Sequence, residues 1–340
     1  MQKPEADPPT LTTVARLANV SIASASRVIN GIKTNPETLE RVTAAAEAVG
    51  YVPNAAARSL RSRRTGQIAF AMPDVANPVY TTMVSSIQQV ARAHGSRLIL
   101  HSTDGDVGDE LGFLADLKQR YVDGLILCSL QFTDAHAEAI ASAVVPVAVI
   151  GTPTKGAKVD TVAPNSRAGA AQAVRHLHGN GRRRIAFVNG PEQTAPGAAR
   201  KLGYHDALRA CGLERDDALI EVASDFERIE PGREAVERLL ERTTPDAIFC
   251  ANDLLALGAL AALRAAGLEV PRDVALVGMD NTNLSAVTSP PLTTVDLGSA
   301  ERARIAAELL LARIEHPNRR PRNIVIEPQL VVRESCGATL

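Results

Sequence analysis

From Gln67 onward the chain alternates short apolar runs with longer helical stretches, and no other feature restricts its fold as much. The apolar runs fall at Ile68–Met72, Arg97–His101, Gly124–Cys128, Val145–Ile150, Arg184–Asn189, Ala247–Ala251 and Val274–Met279. Stretches of helical period lie between them, among them Val79–His94, Asp109–Arg120, Arg167–Gly179, Gly197–Ala210, Glu234–Arg242 and Leu254–Ala266. Strand–helix–strand units of about 25–30 residues predict a doubly wound α/β fold with parallel sheets. In such sheets ligand crevices open beyond the carboxyl ends of the strands. The runs form two sets, before and after about residue 163, so two similar lobes are expected.

The first fifty residues read differently. Thr10 can cap a short helix carrying Val14 and Leu17 on one face, and Ala18-Asn19-Val20 makes a tight turn. Ser21 can cap a second helix, Ile22 to Asn30, with Val20, Ala25, Val28 and Ile29 facing the same small core. Two short helices joined in this way form a helix-turn-helix. Asn35-Pro36-Glu37 starts a third helix that turns Leu39, Val42, Ala46 and Val49 inward and stops at Gly50. Asn54 then caps an alanine-rich stretch of about two turns, too short to stand alone and expected to fold only when docked. Net charge over the whole chain is -1, but residues 1–64 hold nine Lys and Arg against five Asp and Glu. A basic head on an acidic body points toward a polyanionic partner.

The segments Val14-Ala15, Val20-Ser21, Ser26-Arg27-Val28-Ile29-Asn30, Gly50-Tyr51-Val52-Pro53-Asn54 and Ala57-Arg58-Ser59-Leu60 resemble the head and hinge of the LacI/GalR family of bacterial repressors. The resemblance covers nearly the whole chain. It implies a small all-α helix-turn-helix domain (10–52), a hinge helix and linker (53–66), and a two-lobed, periplasmic-binding-protein-like α/β domain (67–340). The chain would cross between lobes near Pro164, Thr294 and Asn323, putting 67–163 and 295–322 in lobe 1 and 164–294 and 323–340 in lobe 2. The implied function is a homodimeric, effector-controlled repressor on pseudo-palindromic double-stranded operator DNA.

The second helix would then lie in the major groove. Arg27 can fork onto a guanine edge, Ile22 and Ala23 can touch thymine methyls, and Ser21, Ser24 and Asn30 suit phosphates. In the hinge, Leu60 matches the family's minor-groove wedge, Arg61 its basic neighbour, and Ala57 belongs to the same motif. Ala25 stands where the family usually has a larger aliphatic residue. In the body, matching the family's loops position by position implies an effector site of Asn77, Tyr80, Ser129, Arg200, Phe226, Asn252 and Asp280. Guanidinium, amide and carboxylate groups around an aromatic plate suit a sugar or another polyhydroxylated metabolite. Phe226 is also readable as ordinary core, and Asp253 and Asn281 as helix caps. Gly151 and Thr194–Gly197 depart from better-known members, so the effector is expected to differ from lactose or purines.

Other chemistries find less support. Asp104–Glu110 lacks the glycine and the closing glutamate of a calcium loop and reads as a loop and helix start. His176 and His178 are not at the spacing that puts two metal ligands on one helix face. Met72-Pro73-Asp74 replaces a glycine-rich phosphate loop, and no G-x-S-x-G elbow occurs, so neither a cofactor nor an enzyme is expected. A sugar-binding protein or sugar-processing enzyme on the same α/β body is the alternative; the enzyme would need a catalytic pair in the cleft. Residues 1–10 are polar, no apolar run could span a bilayer, and the four cysteines are scattered. A cytoplasmic location with reduced thiols is expected.

Overall fold

The computed structural model describes residues 9–52, 64–154 and 156–338, so the hinge positions Ala57, Leu60 and Arg61 lie outside the described residues. The chain divides into two compact units, Met1–Thr65 and Gly66–Leu340.

Among the described residues the first unit holds three helices, α1 (Leu11–Leu17), α2 (Ile22–Ile29) and α3 (Pro36–Ala48). Thr10 and Thr13 close a capping box on α1, Ser21 caps α2, and Asn35 with Pro36 starts α3. The turn between α1 and α2 needs the left-handed Asn19 (φ 47°), a conformation asparagine tolerates. The Arg41 guanidinium donates to the carbonyls of Ala18 and Asn19, so α3 clamps that turn. The core is built from Val14, Ala15, Ala18, Ala25, Val28, Val42 and Ala45. Two expected core residues are not in it. Leu17 is 54% and Leu39 50% exposed, because Ala18 and Ala45 take the inward places.

The second unit contains two six-stranded sheets. Its strands are β1 (Gln67–Met72), β2 (Arg97–Ser102), β3 (Gly124–Cys128), β4 (Val147–Ile150), β5 (Asp160–Pro164) and β6 (Ile185–Asn189). They continue with β7 (Ile220–Val222), β8 (Ala247–Cys250), β9 (Ala275–Met279), β10 (Thr293–Asp296), β11 (Asn323–Ile326) and β12 (Gln329–Val331). The first sheet runs β11-β5-β4-β3-β1-β2 and the second β12-β10-β9-β8-β6-β7. Every pairing is parallel except β10 with β12. The helices are α4 (Pro78–Ala93), α5 (Val107–Asp116), α6 (Asp134–Ala141), α7 (Ser166–Gly179), α8 (Ala195–Ala210), α9 (Glu230–Arg242), α10 (Asp253–Ala265) and α11 (Ser299–Glu315).

Central strands are buried on both faces, as parallel sheets require. In β1 the side chains of Ile68, Phe70 and Met72 join one core layer, with α4 and α11, while Ala69 and Ala71 join the opposite layer. The second lobe has one core in which Phe187 stacks between Tyr204 and Phe249. The expected lobe boundaries need correction at two crossings. Thr294 lies inside β10 of the second sheet, and the chain leaves that sheet only after Asp296. Asn323 begins β11, which pairs with β5 in the first sheet; Thr161 donates to its side chain at 3.0 Å, so the return to lobe 2 falls between Ile326 and Gln329.

Helices α9 and α10 cross so closely that only glycine fits at the contact. A Cβ on Gly258 would stand 2.2 Å from the Ile229 carbonyl oxygen, and one on Gly232 would stand 2.3 Å from that of Leu255. Gly258→Ala is therefore expected to lower the unfolding free energy by about 1–3 kcal/mol, the usual cost of overpacking. Urea unfolding of the two proteins measures this, and an unchanged midpoint would mean that the crossing yields freely.

Candidate functional site

The carboxyl ends of both sets of strands face one another across a cavity of about 110 Å³. All seven residues expected from sequence line it: Asn77, Tyr80, Ser129, Arg200, Phe226, Asn252 and Asp280. Lobe 1 supplies Asn77 and Tyr80 at the start of α4 and Ser129 after β3, while lobe 2 supplies the other four.

Their side chains are not equally available. Asn77 and Asn252 cap α4 and α10 through their amide oxygens, and their nitrogens donate to Glu227 (2.6 Å) and to the Phe226 carbonyl (2.7 Å). Ser129 accepts from the Gln131 amide. Arg200 differs. It is only 7% exposed and, among the described residues, its Nε has no hydrogen-bond partner and its nearest carboxylate oxygen, on Asp280, is 3.8 Å away. That separation is too long for a hydrogen bond. The guanidinium carbon lies 5.1 Å from the centroid of the Phe226 ring, which in turn rests on Gly190. Asp280 has φ 107°, a conformation non-glycine residues rarely adopt, and its amide donates to Val295.

Burial dominates the electrostatics. It pushes the Asp280 carboxyl up to about 6, against the pull of Arg200 and Arg302. It pushes Glu227 up to about 7, against the Asn77 hydrogen bond, with Asp74 and Asp280 adding repulsion. Burial also lowers Arg200, which the Asp280 charge partly offsets. Two hydrogen bonds join the lobes across the cavity, Asn77 to Glu227 and the Ala195 amide to the Leu130 carbonyl at 2.9 Å.

Glu227 and Arg302 belong to the cavity but were not expected there. Glu227 directly follows the aromatic residue that drew attention. Arg302 carried a signal, since it puts a cation in the first turn of α11, the end of a helix that disfavours positive charge. Asp253 and Asn281 are not caps: Asp253 accepts from Thr282 and Thr294, and Asn281 bridges Asp296 and Arg333.

In the head, α2 leaves Ile22, Ala23 and Arg27 exposed while Ala25 and Val28 anchor it. Ser21 Oγ accepts the Ser24 amide, and the Asn30 amide folds back to the Ser26 carbonyl at 2.7 Å. The aspartate-rich segment is a helix start, with Asp106 capping α5. Among the described residues no cluster of three or more His, Cys, Asp or Glu could hold a metal, and no helix is long and apolar enough to cross a membrane.

Residues 10–54 match the family model of bacterial regulatory proteins, lacI family, and residues 174–336 match a periplasmic binding protein-like domain. The HTH-type transcriptional regulator CelR of Thermobifida fusca is 37% identical over 338 residues, covering 96% of this chain and 98% of that protein. A solved transcriptional regulator CelR–cellobiose complex is 35% identical, covers 96% of this chain and 99% of its own, and aligns with a TM-score of 0.74. The lac repressor dimer bound to operator and the anti-inducer ONPF is 26% identical, covers 98% of this chain and 100% of its own, and aligns with a TM-score of 0.87.

Proposed function

Because the chain belongs to the lacI family of bacterial regulatory proteins, and is a DNA-binding transcription regulator rather than an enzyme, we propose that it is a cytoplasmic repressor whose operator binding is set by a sugar held between its lobes. One observation carries the effector half of this reading: Arg200, buried and short of hydrogen-bond acceptors, faces a cavity lined by all seven expected residues. Hydroxyl groups of a saccharide would supply those acceptors. The CelR–cellobiose complex is a relative that holds a sugar. The two hydrogen bonds joining the lobes close the cleft, and an effector that favours one lobe arrangement over another shifts the DNA-competent population.

In a dimer, two copies of α2 meet two operator half-sites one helical turn apart. Ile22, Ala23 and Arg27 read bases, Ser21, Ser24 and Asn30 hold phosphates, and the Leu60 and Arg61 hinge, with Ala57, opens the minor groove. Arg27→Ala should cost about 1–3 kcal/mol at the preferred base and flatten discrimination at that one operator position. Selection of bound sequences from a random oligonucleotide pool checks this; an equal loss on every sequence would reduce Arg27 to a phosphate contact. The whole reading is tested by a thermal-shift screen of sugars, polyols and nucleosides, repeated with the selected operator. The reading requires a sugar that raises the melting temperature and changes operator affinity, and it fails if only nucleosides do so.

A further inference from the structure

The cavity holds a second buried guanidinium. Arg302, only 6% exposed, enters its wall from the first turn of α11. Its Nε donates to the Leu297 carbonyl at 3.0 Å and its Nη2 to Ser299 Oγ at 3.1 Å. Both acceptors are neutral. Among the described residues no carboxylate lies within ion-pairing distance of Arg302, whereas Arg200 has at least the distant Asp280. The second carboxylate of the cavity, Glu227, is taken by Asn77. A buried charge without a counterion is costly, and proteins keep one chiefly where something else supplies the opposite charge.

The surroundings sharpen the imbalance. Burial is what chiefly disfavours the charged form of Arg302; Asp280 opposes this and the Arg200 charge adds to it. The starts of α4, α7, α8 and α10 also border the cavity through Val79, Ser166, Ala195 and Asn252. Helix starts add positive potential and favour anions. Against this stand Asp280 and Glu227, both of which are driven by burial toward their neutral forms. With values of about 6 and about 7, Asp280 carries most of its charge at neutral pH and Glu227 only part, so the two carboxylates fall short of the two guanidiniums while keeping acceptors for hydroxyl groups.

From this arrangement we infer that the effector is a sugar acid, a single-ring or open-chain monosaccharide whose carboxylate is held by Arg302 while its hydroxyl groups meet Arg200 and Asp280. The planar guanidinium fork matches the two oxygens of a carboxylate, as it does those of a phosphate, and the small volume of the cavity favours the smaller group. The cavity, about 110 Å³, is of the same order as the roughly 150 Å³ engineered cavity that encloses one benzene ring, which favours one sugar unit over two. The inference rests on the cleft being the effector site. It adds the charge of the ligand and the residue that selects it.

Calorimetric titration of the full chain with D-galacturonate, D-glucuronate and D-gluconate, each against its neutral hexose, tests it. Glucose 6-phosphate and acetate serve as the phosphate and the bare carboxylate. One sugar acid should bind about tenfold tighter than its neutral counterpart, the worth of one charge-assisted hydrogen bond, and tighter than the phosphate or acetate. Arg302→Met should erase that preference, so that the acid and its neutral counterpart bind within about threefold of each other. Arg302→Lys, which keeps the charge, should retain part of it, so a folding defect in the methionine variant is separable from a loss of recognition. A preference for neutral sugars or for the sugar phosphate, or an acid preference that survives Arg302→Met, overturns this inference and leaves the sugar-controlled repressor standing. Binding of nucleosides alone, with no sugar of either kind, overturns both.

Discussion

Arg200→Ala is expected to abolish the response to effector while operator affinity without effector stays near that of the unaltered protein. Truncating a buried, hydrogen-bonding charge at a binding site costs about 2–5 kcal/mol, a loss of about 30-fold to more than 1,000-fold in affinity. The geometry explains why the loss falls on the ligand rather than on the fold. Among the described residues Arg200 Nε has no hydrogen-bond partner, the Asp280 carboxylate is 3.8 Å distant, and the guanidinium lies over the face of Phe226. Little of the folded structure depends on those donors, and removing a desolvated cation relieves part of its burial cost. The melting temperature of the ligand-free variant should therefore change little. Without Arg200 the Asp280 carboxyl loses its strongest opposing charge and moves further up, toward a neutral acid. Calorimetric titration with the effector found by screening, together with operator binding by fluorescence anisotropy, measures both halves. A variant that still releases or gains operator on adding effector would take Arg200 out of the site.

The architecture was legible where the physics is local and redundant. Six central strands, β1, β3, β4, β6, β8 and β9, are almost wholly apolar because helices cover both faces, and their apolar runs mark each of them to within a few residues; the half-exposed edge strand β2 was legible as well. The remaining five strands, β5, β7, β10, β11 and β12, lie toward the sheet margins. They are short or mixed in polarity: β5 opens on Asp160 and ends on Pro164, β7 spans only Ile220–Val222, and β10 reads Thr293-Thr294-Val295-Asp296. Asp160 is held by Arg313 at 2.6 Å from α11, a long-range pairing that no local pattern announces. Two of the three lobe crossings, expected near Thr294 and Asn323, fall a few residues later for the same reason, since they join these marginal strands. In the site, the family's loops pointed to every expected lining residue, yet Asn77 and Asn252 turned out to be occupied as caps. Which lining side chains are left with unused donors is a property of three-dimensional surroundings. Sequence position alone carried only the hint of a cation at the start of α11.

Asp253→Ala is expected to lower the unfolding free energy by about 3 kcal/mol. The carboxylate is 1% exposed and accepts from the Thr282 amide (2.7 Å), the Thr282 hydroxyl (3.0 Å) and the Thr294 hydroxyl (2.6 Å). It thereby ties the start of α10 to β10 and to the loop after β9, beside Asp280. Gly278 leaves room for it, since a Cβ there would sit 2.5 Å from Asp253 Oδ1. Alanine would strand three buried donors, whereas Asp253→Asn keeps an acceptor and should cost about 1 kcal/mol. The two variants also separate through pH. Burial pushes Asp253 up to about 7, the nearby Asp280 adding to the shift and the three hydrogen bonds opposing it. Its unfolded value is about 3.9, so between about pH 4 and 7 the folded chain binds more protons than the unfolded one. Stability from this group is therefore complete at the acid end of that window and falls as pH rises through 7. Glu227, pushed up to about 7, and Asp280, to about 6, act in the same direction. The ligand-free protein should thus resist urea better at pH 5.5 than at pH 8, with on the order of 1 kcal/mol of the difference due to Asp253. Asp253→Asn cannot ionise and should flatten that slope without erasing it, because Glu227 and Asp280 still titrate. An unchanged slope in Asp253→Asn would mean that this carboxyl is ionised throughout, held by its three donors strongly enough to overcome its burial.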